Sequence, residues 1–373
     1  MIRLLAAPFL FVSAIVAGLA LSRSPIVLGA AKSSPAGWNK QATAAYLDSR
    51  QLWWQSWPKA QRDHGTICIS CHTQLPYALL RPTLGHELGE ANETAAQQTL
   101  MRNLEQRVSH WSEMEPFYSD AKNGPGKTAE SHATEAVLNA TILAGYDAAH
   151  GHLRPITRTA FNSAWELQQQ SGQLAGGWQW QDFHLGPWEA SESGYQGAAL
   201  LMVQTLNAPD GFANEPEVRR HLDRVRDFLR TNYAAQPLLN RLYILWASAK
   251  EPGLLTPAQR TDLLAEIQHL QHPDGGWTTS AFDKKERSDK SLEPTDSDGY
   301  ATGLTVLVLE KSGTSRHDPT LQHGLDWLTS HQRPDGTWYA ASINKLRDPK
   351  SDPAPFMTDA ATAYAALALE SQR

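Results

Sequence analysis

The sequence predicts an all-α fold, a toroid of six helix pairs, (α/α)6. Two observations carry that expectation. A unit of amphipathic helix, Gly- and Trp-rich loop and apolar, Ala-rich helix recurs along the chain. The loop starts also repeat: Gln271-His272-Pro273-Asp274-Gly275-Gly276-Trp277 and Gln332-Arg333-Pro334-Asp335-Gly336-Thr337-Trp338, with a looser copy from Gln170 to Trp178.

The first helix of each unit has a surface pattern. Val218, Leu222, Val225 and Leu229 fall at helical spacing with Arg and Asp between them. Thr256-Pro257-Ala258-Gln259 is a capping box with proline at N1. The second helices, such as 299–309 and 360–369, are apolar on nearly every face, as helices buried on all sides are. Outer helices are expected near 41–56, 93–112, 156–170, 216–231, 257–271 and 319–331. Inner partners are expected near 70–81, 131–146, 192–206, 237–249, 296–311 and 358–370. Six such pairs are enough to close a ring. Hydroxyl or acidic residues at Thr295 to Asp298, Thr358-Asp359 and Ser191 to Ser193 suit helix caps.

Lys and Arg total 33 against 39 acids, for a net charge of −6, so no basic face for nucleic acid is expected. Arg3 followed by the apolar run Leu4 to Leu21 marks residues 1–31 as a signal peptide or an N-terminal anchor. Export to the periplasm, with possible membrane association through that segment, follows. Residues 36–90 then hold the first helix pair and residues 91–373 the remainder of the toroid.

Only two cysteines occur, in Cys68-Ile69-Ser70-Cys71-His72. The C-x-x-C-H pattern predicts one covalent haem c. The two thiols become thioethers and His72 the proximal iron ligand. A thioredoxin-like pair would need a β-α-β setting, a zinc site a second cysteine pair, and a plain disulfide would leave His72 as coincidence. Met357 and His132, at the ends of neighbouring inner helices, are the leading candidates for the distal ligand, with Met114, His64 and His184 as loop alternatives. Trp53, Trp54, Trp57 and Tyr77 flank the motif. Because the motif ends an outer-to-inner connection, the haem is expected on the face that carries the long loops, roughly 113–130, 171–190, 272–294 and 332–357.

Residues 150–373 resemble the toroid of the squalene–hopene cyclase and prenyltransferase superfamily. Gly324-Leu325-Asp326-Trp327-Leu328, then Gln332, Gly336 and Trp338, echo the QW motif of the triterpene cyclases. The resemblance implies that glutamine caps a helix end and tryptophan packs over it. A narrower resemblance is to exported C-x-x-C-H proteins with a cyclase-like toroid. The D-x-D-D proton donor of the cyclases is incomplete here: Asp296-Ser297-Asp298 is followed by Gly299. Zinc-dependent prenyl transfer would claim the cysteines already assigned to haem. Glu135, Glu189, Glu192 and Asp359 lie near inner-helix starts, where a carbohydrate-active toroid would place its acids and where capping would also place them.

The function expected from these residues is a periplasmic haem electron carrier with a redox partner protein. The alternatives are a haem-dependent oxidoreductase acting on an apolar or isoprenoid substrate in the toroid cavity, a partner-binding module, and a cyclase-like enzyme.

Overall fold

A computed structural model describes residues 37–371. The expected leader, residues 1–31, lies outside the described residues. Twelve helices form six outer–inner pairs: α1 (Lys40–Ser56) with α2 (Gln74–Glu87), α3 (Ala95–Ser109) with α4 (Lys127–His150), and α5 (Pro155–Glu166) with α6 (Ser193–Asn207). The second half pairs α7 (Pro216–Asn232) with α8 (Leu238–Ser248), α9 (Pro257–His269) with α10 (Gly299–Lys311), and α11 (Pro319–Ser330) with α12 (Phe356–Glu370). No strand occurs among the described residues, only isolated bridges. None of the described helices is long and apolar enough to cross a membrane.

The inner helices touch in cyclic order: α2, α4, α6, α8, α10, α12 and back to α2. The ring is therefore closed. Its middle is filled, since Tyr243, Tyr300 and Tyr364, from α8, α10 and α12, meet hydroxyl to hydroxyl at 3.2 and 3.1 Å. A void of about 10 Å³ is left beside them, room for no more than a single water. The expectation of a substrate cavity inside the toroid is corrected by this plug.

The repeated loops do the same work three times. The indoles of Trp178, Trp277 and Trp338 donate to Ala164 O, Ile267 O and Leu328 O at 2.7 to 2.8 Å, satisfying carbonyls near the ends of α5, α9 and α11. Gln271 Nε2 donates to Gly275 O and to Thr320 O, both at 2.9 Å, joining its loop to the next outer helix. Gln332 does this across the seam: its Nε2 reaches Thr43 Oγ1 at 2.9 Å, and its Oε1 accepts from Asn39 N at 2.6 Å. In the loosest copy the bridging residue is Gln168, two positions before the expected Gln170, with Nε2 on Gly176 O and His221 O. Gly275 and Gly336 are required by contact as well as by backbone. Both have positive φ, and a Cβ on either would lie 2.4 to 2.5 Å from the backbone of the next outer helix.

Two boundaries depart from expectation. Helix α2 begins at Gln74 rather than 70, because Ser70 Oγ accepts from the amides of Thr73 and Gln74 and keeps residues 70–73 in a turn. It then runs through Pro82 to Glu87, where a stop before the proline is the sequence expectation. The capping box at Thr256 is present, and Asp298 is the N-cap of α10, accepting from Tyr300 N and Ala301 N at 2.9 Å.

Candidate functional site

The C-x-x-C-H segment lies between α1 and α2, with Cys68 to Ser70 in irregular backbone and Cys71 and His72 in a turn. Neighbouring side chains clamp it. Asn103 on α3 exchanges two hydrogen bonds with the Ile67 backbone, at 2.8 and 3.0 Å. The Trp54 indole donates to Cys68 O at 2.8 Å, and Gln74 Oε1 accepts from Ser70 N at 3.1 Å. The motif is thus a buried strap: Cys68 is 6 % and His72 8 % exposed.

His72 is fixed by a relay. Thr73 Oγ1 donates to Asp359 Oδ2 at 2.8 Å, so at 2.9 Å it accepts from His72 Nδ1–H. That network assigns the Nδ1–H tautomer and leaves Nε2 bare. The imidazole stacks on Phe356 with centroids 3.9 Å apart and meets Trp54 edge-on. Burial, with Arg50 nearby, lowers its pKa to about 3, and it is neutral. Burial also pushes the Cys68 thiol up to about 12 and the Cys71 thiol well above its usual range.

Two neighbouring chambers open around this strap on the long-loop face. The larger, about 240 Å³, is walled by Trp54, Trp57, Trp188, Phe356 and Met357, with His72 at one side. The smaller, about 50 Å³, borders Cys68, Cys71 and Phe117. Trp54, His72, Tyr118 and Glu189 line both. The walls come from the end of α1, the start of α12 and the connections after α1, α3, α5 and α11, so four repeats supply one site.

Glu189 is the one carboxylate among the residues lining either chamber. Its backbone is held in a bridge to Leu185 at 2.9 Å in both directions, while its carboxyl makes no hydrogen bond or ion pair among the described residues. It is half-buried and lines both chambers. Desolvation raises its pKa to about 7, against a smaller lowering by Arg347. The other acids noted near inner-helix starts are committed elsewhere. Glu135 is buried against Arg107, with Oε2 at 3.0 Å from an amino group. Glu192 pairs with Lys285, and Asp359 accepts from Arg50 and Tyr46 at 2.8 and 2.7 Å. Asp298 caps α10 and binds Thr279, away from both chambers.

Of the distal-ligand candidates, Met357 lines the larger chamber with His72. His132 does not line it and packs against Trp111 at 5.6 Å. Met114 is buried near Thr66, His64 stacks on His110, and His184 is exposed. Tyr77 is buried in the core, lines neither chamber and donates to Asp48 Oδ1 at 2.8 Å.

No known protein-family profile matches the chain. Over 108 residues it is 30% identical to the squalene–hopene cyclase of Bradyrhizobium diazoefficiens, a match that spans 29% of this chain and 14% of the cyclase. Among solved structures it is similar to an α-1,6-mannanase of Salegentibacter sp., at 10% identity and TM-score 0.50 over 89% of this chain and all of that one. It is equally similar to a glycosidase, at 12% identity and TM-score 0.50 over 89% of this chain and 96% of that one. These structures establish the α/α toroid. The expectation of a c-type cytochrome carrying electrons is corrected by the same findings. The cyclase and the two glycosidases are none of them cytochromes, and the C-x-x-C-H segment is buried.

Proposed function

We propose that the chain is an enzyme that protonates an apolar, alkene-bearing substrate in the larger chamber, with Glu189 as the proton donor. The observation that carries this reading is a lone carboxyl in an aromatic chamber, held protonated near neutral pH by burial. A general acid is most effective when its pKa lies near the working pH. The proton passes from the Glu189 carboxyl to one carbon of the double bond, leaving a carboxylate on the enzyme and a cation on the substrate. The faces of Trp54, Trp57 and Trp188 stabilise positive charge through their ring quadrupoles. Loss of a proton or addition of water ends the step, and solvent re-protonates Glu189.

The partial similarity to a squalene–hopene cyclase supports the reaction class, although the residue used differs from that family's aspartate motif. Glycoside cleavage is disfavoured, because it needs a pair of carboxyl groups across the bond and the chambers hold one. At about 240 Å³ the larger chamber suits a modest substrate or one portion of a longer one. Incubation of the purified chain with linear and cyclic terpenes in D2O, followed by mass spectrometry, tests the proposal. The product should gain one deuterium, and Glu189→Gln should lower turnover roughly 100-fold or more. Full turnover by that variant would end the reading.

A second reading, favoured by His72, keeps haem c on Cys68 and Cys71 with His72 as an iron ligand and no electron-carrying role; a porphyrin there would take the space of the two chambers, so this reading excludes a substrate beside Glu189. The bare Nε2 of His72, with Nδ1 held by the Thr73–Asp359 relay, is the arrangement of a metal-ligating histidine. Bound there, the group would supply iron and redox chemistry. Co-expression with cytochrome maturation factors should give a Soret band that survives acid–acetone extraction and is lost in Cys68→Ala. Export belongs to the same set of proposals and is checked by N-terminal sequencing of the secreted chain.

A further inference from the structure

A second cavity adjoins the aromatic chamber, and its chemistry is the opposite. It is a groove of about 360 Å³ between the loop that follows α9 and the loop between α11 and α12. Arg287, Arg333, Lys345 and Arg347 line it, and Asp335 is the one carboxylate among its lining residues. None of the four cations has an ion pair among the described residues. Arg333 lies over the Tyr339 ring at 4.4 Å, and Asp335 is occupied with the Thr337 hydroxyl at 2.7 Å. Asp289, on the adjoining loop, accepts from Leu346 N at 2.9 Å.

Arg287 is the informative member. It is 4 % exposed, its terminal nitrogens donate to the carbonyls of Leu292 and Ser342, and its buried Nε has no partner. That Nε lies out of reach of the groove, so Arg287 braces the wall, and the other three unpaired cations, Arg333, Lys345 and Arg347, are what suit an anion. The groove and the aromatic chamber share Ser342 and Arg347, and the segment 353–358 divides them, with Pro355 and Thr358 on one side and Phe356 and Met357 on the other. At the groove, Leu346 is 69 % exposed, an apolar side chain left in water.

We propose that this groove binds the anionic head, phosphate or carboxylate, of an amphiphile whose apolar tail enters the aromatic chamber past Arg347. The inference rests on the chamber being the substrate site and adds the substrate's class. Arg333 and Lys345 meet the head first, Arg347 holds it at the junction, and Arg287 stiffens the wall behind.

Calorimetric titration of the full chain with dodecyl phosphate, dodecanoate, dodecanol and inorganic phosphate, all below micellar concentration, tests it. One of the two anionic amphiphiles should bind at least tenfold more tightly than dodecanol and than inorganic phosphate. Whichever of the two prevails identifies the head. Arg347→Gln should remove most of that advantage, and Lys345→Gln, an exposed substitution in the groove and not in the chamber, should reduce it severalfold while dodecanol binding stays unchanged. Affinity should rise with tail length until the chamber is full and then level off. Equal binding of dodecanol and the anionic amphiphiles would overturn the inference and leave the chamber reading intact. Inorganic phosphate binding as tightly as dodecyl phosphate would overturn it as well. Failure of every alkyl probe to bind would overturn both.

Discussion

Glu189 differs from the other acids of the chain in what it lacks. With its carboxyl raised to about 7 by burial, from an ordinary value near 4.5, the protonated form persists to neutral pH. Turnover that depends on the acid should be full below pH 7 and fall as the pH rises through that value. The same shift sets a stability trend. The unfolded chain releases this proton near pH 4.5 and the folded chain near 7, so stability declines between those values and then levels off. The span corresponds to roughly 3 kcal/mol. Glu189→Gln should flatten that part of the curve and raise stability at pH 8, as read by urea unfolding across pH. A variant no more stable than the parent at pH 8 would contradict the burial argument. In the sequence Glu189 is one of four similar acids. Its isolation depends on where Arg107, Arg50 and Lys285 travel, and those partners lie 28, 309 and 93 positions from Glu135, Asp359 and Glu192. No local pattern encodes that. His72 stands out in the sequence through its motif, but its tautomer depends on Asp359, 286 positions beyond Thr73.

At the scale of elements, the first turn of α12 ties the site to the scaffold. Asp359, fully buried, holds Arg50 and Tyr46 of α1 and the Thr73 hydroxyl at the start of α2. Asp359→Ala strands a guanidinium and two hydroxyls and should cost about 3 to 5 kcal/mol, measured by urea unfolding. The tryptophan loops are more modular. Trp277→Phe leaves Ile267 O without its indole donor and should cost roughly 1 to 3 kcal/mol with the fold retained by circular dichroism. The helix pairs and loop tryptophans are legible in the sequence because each depends on a local period and on turn residues at fixed offsets. The start of α2 is less so, since Ser70 captures two amides that a helix would otherwise use. Asp359 has the sequence character of a cap, and only the fold shows it to be a buried tie between three helices.

Across the whole molecule, closure distinguishes a ring from an open solenoid. If the ring is closed in solution, the seam residue Gln332 is worth as much as its counterpart Gln271 within the series. Gln332→Ala and Gln271→Ala should then lower the unfolding free energy by similar amounts, roughly 1 to 3 kcal/mol each. A Gln332→Ala variant as stable as the parent would indicate an open seam. Six pairs counted from sequence predict closure, and the cyclic contacts of the inner helices agree. The plug at the centre is not legible in the sequence, because its tyrosines sit 57 and 121 positions apart and gather only when three helices meet.

The seam has a further consequence, in time rather than space. Gln332 fastens to Asn39 and Thr43 across 293 and 289 positions, and α2 packs against α12. A polypeptide made from its N-terminus therefore carries the Cys68–His72 strap with one flank bare until Gln332 and α12 arrive. Every other repeat can dock on a neighbour already present; the first must wait for the last. For that interval the strap is open to whatever chemistry reaches an unfinished chain, and completion of the ring shuts it away.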